Sequence, residues 1–204
     1  LILLVRKLPY LIHQLFIFLL YQSNPMGKNH IFVLVILLTF ISFQDAQGQN
    51  YNRKMTNNKT GEEILIGLCT RSAFLKDSYA EWFIHKYKSY NGYSNKSVID
   101  SMKPLLKDVS IKVVLGTWCH DSQEQVPRFF SILDYLKYQE ENYSIICVNT
   151  QKEAVSFSIE DLNVVFVPTF IFYKGEVEIG RIIESPILSL EKDMLAILQK
   201  IPAK

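Results

Sequence analysis

The distribution of apolar and polar positions changes character several times along this chain of 204 residues. Positions 1–20 and 31–43 are almost continuously apolar, whereas 49–60 are polar and rich in Asn and Lys. That polar stretch has no periodicity and predicts a flexible lead-in. Positions 64–68 form a short apolar run that fits either a strand or a buried helical turn. Between 72 and 90, Phe74, Tyr79, Trp82, Phe83 and Tyr87 recur at helical spacing, and Asn91-Gly92 supplies a stop. A second helix is expected over 95–108, with Pro104 placed to bend or break it.

From 111 onward short apolar runs alternate with helical patterns. Ile111-Lys112-Val113-Val114-Leu115 reads as a strand. A helix to about 138 follows, with Val126, Phe129, Phe130, Leu133 and Leu136 on one face. A strand over 143–149 comes next, then a looser, partly helical connection over 151–163. Strands over 169–173 and 176–183 flank a turn at Lys174-Gly175, and a last helix over 187–201 carries Leu190, Met194, Leu195, Ile197 and Leu198. This order predicts an α/β fold, a central mixed β-sheet with a terminal hairpin and helices on both faces.

Composition narrows the function classes. The formal charge is +2 and no basic stripe is interleaved with aromatics, so nucleic acid is not expected as a partner. Setting the apolar start aside leaves roughly 150 residues, enough for one domain with an ordinary core. The cysteines, at 69, 119 and 147, are odd in number and widely spaced. That argues against a disulfide framework and gives no zinc-ligand spacing. No metal, nucleotide or flavin signature is present, and no cofactor is expected.

The N-terminal pattern points to export. Met26 is the first methionine, Lys28 and His30 give a short polar lead, and 31–43 form an apolar run of 13 residues. Ala46-Gln47-Gly48 then places small residues where signal peptidase reads them. The run is short for a bilayer span, which needs about 20 residues. Residues 26–48 therefore read as a signal peptide cleaved after Gly48 or as an uncleaved membrane anchor through 31–43. Residues 1–25, with Arg6, Lys7, Pro9 and His13 among apolar positions, read as sequence upstream of the true start in preference to a first membrane helix. Each reading makes the remaining domain extracytoplasmic, periplasmic or secreted. The expected organisation is thus 49–60 as lead-in, 61–110 as a helical N-terminal extension and 111–204 as the main domain.

Candidate chemistry centres on Trp118-Cys119-His120-Asp121-Ser122 at a strand-to-helix junction. Unpaired backbone N–H groups and the positive end of the helix dipole favour a thiolate there. Ser122 stands three residues on, where a dithiol motif would carry its second cysteine. Its hydroxyl reads either as a hydrogen-bond donor to the Cys119 sulfur or as a helix cap, since Ser122 with Gln125, or Asp121 with Glu124, has capping-box spacing. Asp121 reads as a proton acceptor near the thiol or as a solvated cap. His120 reads as a proton donor to a leaving sulfur or as an incidental surface residue. Cys147, mid-strand, is expected to be buried and inert, and Cys69 is a candidate remote resolving thiol.

These residues resemble the thioredoxin superfamily over about 111–200. Trp118-Cys119 ends the central strand, and Pro127 lies eight residues after the cysteine. Val167-Pro168-Thr169 opens the strand before the hairpin, and Gly175 sits at its turn. More finely, residues 60–110 and Glu184-Ser185-Pro186 resemble those of exported thioredoxin-like proteins with a Trp-Cys-x-Asp-Ser site. The resemblance implies a cis Pro168 against the sulfur and a groove of Trp118, Val167, Pro168 and Thr169 where a partner peptide pairs. Three positions depart from the family pattern. Ser122 replaces the resolving cysteine, Asp121 stands where proline is usual, and Val113 occupies the place of a buried acid. The implied function is monothiol thiol–disulfide exchange through Cys119, with protein thiols or disulfides as partners and an external thiol to resolve the adduct. The alternative is a redox-inactive module that binds peptide or protein. Gly116-Thr117-Trp118 lacks the Pro and Thr spacing of peroxidases of this fold.

Overall fold

The computed structural model describes residues 51–90, 95–155 and 157–200. Within them six strands form one sheet: β1 (Arg53–Thr56), β2 (Glu63–Cys69), β3 (Val109–Leu115), β4 (Tyr143–Cys147), β5 (Thr169–Lys174) and β6 (Val177–Ile183). Their order is β1-β2-β4-β3-β5-β6. The central strand β3 runs parallel to β4, with Val113 opposite Ile145, and antiparallel to β5, with Val113 opposite Phe170. Both its faces are covered, which is why Ile111, Val113, Val114 and Leu115 form a near-continuous apolar run. Gly175 turns β5 into β6 with a left-handed φ of 61°.

Four α-helices, α1 (Asp77–Ser89), α2 (Lys96–Met102), α3 (His120–Tyr135) and α4 (Leu190–Leu198), flank this sheet. All four contribute to one core. Phe83, Met102, Phe129, Phe130 and Met194 share it with Val113, Leu115, Phe170 and Phe172 from the strands. Aromatic rings knit it together: Phe129 stacks on Phe170 at 4.3 Å and Phe74 on Phe83 at 5.6 Å. The predicted apolar face of α3, Val126, Phe129, Phe130, Leu133 and Leu136, is buried throughout. The helix runs unbroken across Pro127.

The other sheet face differs from the expectation of helices on both sides. Val114, Ile146, Val148 and Ile171 are covered there by Ala154, Ile159 and Val167 from the connection between β4 and β5. Among the described residues of that connection only Glu160–Leu162 makes a helical turn, of the 3-10 type. Its buried apolar residues are too few and too far apart to line one stripe of a helix. Asn149 closes the first turn after β4, its Oδ1 accepting the N–H groups of Gln151 and Glu153, each at 2.9 Å.

The segment before β3 is corrected most. Arg53–Thr56 lies in the expected flexible lead-in but is an edge strand, paired from Arg53 opposite Ile66 to Thr56 opposite Glu63. Its ladder bonds come from the backbone, and its polar side chains suit an edge, so apolar periodicity could not reveal it. Lys54 bridges Glu63 and Asp77, each at 2.7 Å. The expected helical extension over 61–110 likewise begins with a strand, β2. The helix predicted over 72–90 is two pieces, a 3-10 turn at Arg71–Leu75 and then α1, because Lys76 is extended and Asp77 takes a left-handed φ of 52°. Helix α2 stops at Met102, two residues before Pro104. Helix α4 starts at Leu190, where the Ser189 hydroxyl accepts the Lys192 N–H at 3.3 Å.

Among the described residues no helix is long and apolar enough to cross a membrane. The 1–25 and 26–48 segments, the Asn91-Gly92 stop and the predicted helix end at 201 lie outside the described residues.

Candidate functional site

Beyond Leu115 the chain leaves β3 through Gly116, Thr117 and Trp118 and enters α3 with Cys119 as its N-cap. Cys119 has an extended backbone, φ −93° and ψ 125°. Its N–H donates to the Gly116 carbonyl at 2.9 Å, and its carbonyl accepts the Gln123 N–H at 3.0 Å. No side chain caps the helix. The N–H groups of the first helical turn lack intrahelical acceptors, as at any helix start. The Cys119 Sγ is half-buried and donates to the Val167 carbonyl at 3.2 Å. The Val167–Pro168 bond is cis, and the Pro168 carbonyl accepts the Glu184 N–H at 2.7 Å.

Trp118 is fixed on three sides. Its Nε1–H donates to the Val148 carbonyl at 2.8 Å, and Lys152 Nζ lies 5.3 Å from its ring centroid. The indole also lies so close over Gly116 that a Cβ there would come within 2.6 Å of the ring. Nothing in the apolar patterning marks Val148, Gln123 or Lys152 as neighbours of the site, whereas Gly116 stands out as a glycine between a buried strand and a tryptophan.

The two sequence readings of Ser122 both give way to a third arrangement. Ser122 is fully buried, and its Oγ accepts the Gly116 N–H at 3.2 Å. With Cys119 as N-cap, Asp121 and Ser122 both lie inside the first turn and neither caps it. Glu124, the other half of one expected capping box, pairs instead with Lys86 and Arg128. No hydrogen bond joins Ser122 to Cys119. His120 is exposed and Asp121 half-buried, and neither side chain makes a hydrogen bond with a described residue.

Of the four residues expected to line a groove, Trp118 is half-buried, whereas Val167, Pro168 and Thr169 are all buried. Thr169 is turned inward, its Oγ1 donating to the Phe166 carbonyl at 2.7 Å, so it shapes the turn around Pro168 and does not line a surface. The residues that do face solvent here are Val165 and Phe166, 68% and 52% exposed. The Val167 N–H has no hydrogen-bond partner among the described residues.

Strand order settles the architecture. A parallel β3-α3-β4 unit sits beside an antiparallel β5-β6-α4 unit, in the order β4-β3-β5-β6. The fold is thioredoxin-like. No family model and no curated protein matches the chain. Among solved structures it is similar to thioredoxin O2 from Arabidopsis thaliana in its oxidised state, at 21% identity over 51% of this chain and 88% of that one, with a TM-score of 0.33. An HIV epitope-scaffold is 15% identical, covering 62% and 100% of the two chains at a TM-score of 0.31. A protein of unknown function from Pseudomonas aeruginosa is 14% identical, covering 62% and 98% at 0.29.

In this thioredoxin-like frame the other two cysteines stand apart from Cys119. Leu115, Cys147 and Gly67 lie level across β3, β4 and β2. Cys69 is level with Val113, two residues further from Cys119, and faces the helix-side core. Cys119 packs with the cluster on the opposite face. Cys69 is therefore not placed to resolve an adduct on Cys119. Burial pushes the Cys147 thiol well up, and the neighbouring Cys69 side chain adds to the rise. Val113, at the position of the family's buried acid, is apolar and fully enclosed.

Proposed function

We propose that this chain is an exported thioredoxin-like protein that carries out monothiol thiol–disulfide exchange through Cys119. The observation that carries the reading is the half-buried Cys119 thiol at the α3 N-cap, against Val167 and beside Trp118. As thiolate, Cys119 attacks one sulfur of a partner disulfide. The partner S–S bond breaks, a Cys119–S–S–partner bond forms, and the second partner sulfur leaves as a thiolate that takes up a proton. His120, exposed on the first turn, and Asp121 beside it are the groups nearest in sequence that could exchange that proton. An external thiol, as thiolate, then attacks the partner sulfur of the mixed disulfide. A new S–S bond to the partner forms, the S–S bond to Cys119 breaks and Cys119 leaves as thiolate. Extracytoplasmic location is supported by the 26–48 pattern and fits a compartment where protein disulfides persist.

The test uses the full-length chain, wild type and Cys119→Ala, incubated with a disulfide-bonded protein and quenched with acid and an alkylating agent. Mixed disulfides that require Cys119 are expected. No adduct in either protein, or equal adducts in both, rules the reading out. A second reading, a redox-inactive peptide- or protein-binding module, draws on the exposed Val165 and Phe166 and the unpaired Val167 N–H. It predicts peptide binding that survives Cys119→Ala in a protein that never forms adducts.

A further inference from the structure

The loop between β3 and α3 is held more completely than a nucleophile's approach requires. The Gly116 N–H is taken by the Ser122 hydroxyl at 3.2 Å and the Gly116 carbonyl by the Cys119 N–H at 2.9 Å. The Thr117 carbonyl accepts from Gln123 Nε2 at 2.8 Å, and the Thr117 hydroxyl accepts the Leu65 N–H of β2 at 3.2 Å. Trp118 lies over Gly116 at a distance that excludes any side chain, its indole N–H tied to Val148. Gly116 is thus gripped from three directions, and each grip leads to a residue of the site.

Ser122 is the only one of these partners whose side chain is fully enclosed and stands at the resolving position. A buried backbone N–H left without an acceptor costs free energy, and a thiol is a weaker acceptor than a hydroxyl. We infer that Ser122 and Gly116 form a buried clamp that positions Trp118 and Cys119, and that the Ser122 hydroxyl serves the loop backbone and not the Cys119 sulfur. Ser122 is then a positioning residue, and serine at this position keeps the Gly116 N–H satisfied. The inference rests on the exchange reading for its functional consequence, whereas the clamp itself does not.

Hydrogen exchange and thiolate absorbance on the full-length chain separate the alternatives. In Ser122→Ala the Gly116 amide is expected to exchange about tenfold faster or more, the factor for losing one buried hydrogen bond. The Trp118 indole N–H resonance shifts with it, and Cys119 exchanges more slowly with a disulfide probe, oxidised glutathione. The Cys119 thiolate absorbance against pH, taken as the difference from Cys119→Ser, is not expected to respond, because the Ser122 hydroxyl makes no hydrogen bond to the sulfur. A displaced thiolate curve with an unchanged Gly116 amide places the hydroxyl on the sulfur and overturns the clamp. Should Ser122→Ala not fold, Ser122→Cys in a Cys119→Ser background keeps the side-chain size without a disulfide route. Faster Gly116 exchange there supports the clamp, and undiminished protection refutes it. Failure of Cys119 to form any adduct in wild type removes the exchange reading but leaves the Gly116 result standing.

Discussion

The two faces of the sheet are built on different terms. One is sealed by four helices and a network of stacked and edge-on aromatic rings, and it holds Cys69 and Cys147 inside. The other is covered by an extended connection with one 3-10 turn, in which Lys152, Val155 and Asn163 all take left-handed φ values. It carries Cys119, Trp118 and the Val167–Pro168 turn, with exposed apolar residues beside them. Three cysteines with the same chemistry are thereby given different fates. Burial raises the Cys147 thiol, while Cys119 is kept half-buried at a helix end. The division assigns stability mainly to the helical face and leaves the candidate site on the other.

The largest break in this comparison comes from Phe129→Ala. Phe129 is fully buried and packs on Phe170, Phe172 and Phe130, so its truncation should cost about 3–5 kcal/mol in denaturant unfolding. The fraction that remains folded should still react at Cys119 at the wild-type rate. A folded variant with altered Cys119 kinetics would show that the faces are coupled.

Gly116→Ala is the reciprocal change. The added methyl meets the Trp118 ring, so the ring or the loop must move, at about 1–3 kcal/mol of overpacking. Here the exchange rate is expected to fall by more than the stability loss explains. An exchange rate equal to wild type in the folded variant would mean that Trp118 placement is irrelevant to the thiol.

The smallest effect is electrostatic and belongs to the helical face. Burial alone would raise the Asp134 carboxyl, but hydrogen bonds from Arg71 and Tyr87 outweigh it and hold the group below its ordinary value. A carboxyl lowered by folding stabilises fully above its unfolded value of about 3.9 and loses that contribution as pH falls through the folded value. Asp134→Asn should therefore flatten the acid side of the stability curve. Because the pair is partly exposed, the difference should be about 1 kcal/mol or less. Acid unfolding at the wild-type midpoint in the variant would remove Asp134 from that limb.

Much of the fold was legible because the parts that matter bury apolar side chains periodically. The β3-α3-β4 and β5-β6-α4 units, the buried face of α3 and the junction at Cys119 all follow from that signal. What escaped has a common physical cause: it depends on backbone hydrogen bonds or on contacts between residues distant in sequence. Strand β1 is polar and held by its ladder to β2. The Ser122 hydroxyl accepts the Gly116 N–H in place of any helix-capping role, an arrangement set by loop geometry. Thr169 turns inward to Phe166, and Lys152 reaches the Trp118 ring from another connection. The Val167–Pro168 bond is cis and the Val167 carbonyl meets the Cys119 sulfur, whereas the burial of the surrounding turn has no signature in the sequence.

The central claim is that Cys119 works alone, and the lifetime of its mixed disulfide tests it most directly. The mixed disulfide of wild-type full-length protein with glutathione, formed from oxidised glutathione and freed of all excess thiol, is followed by mass spectrometry. The account predicts that it persists until an external thiol is added, since Cys69 faces away and Ser122 offers no sulfur. An adduct that never forms, or one that resolves unaided in the wild-type protein, contradicts the account.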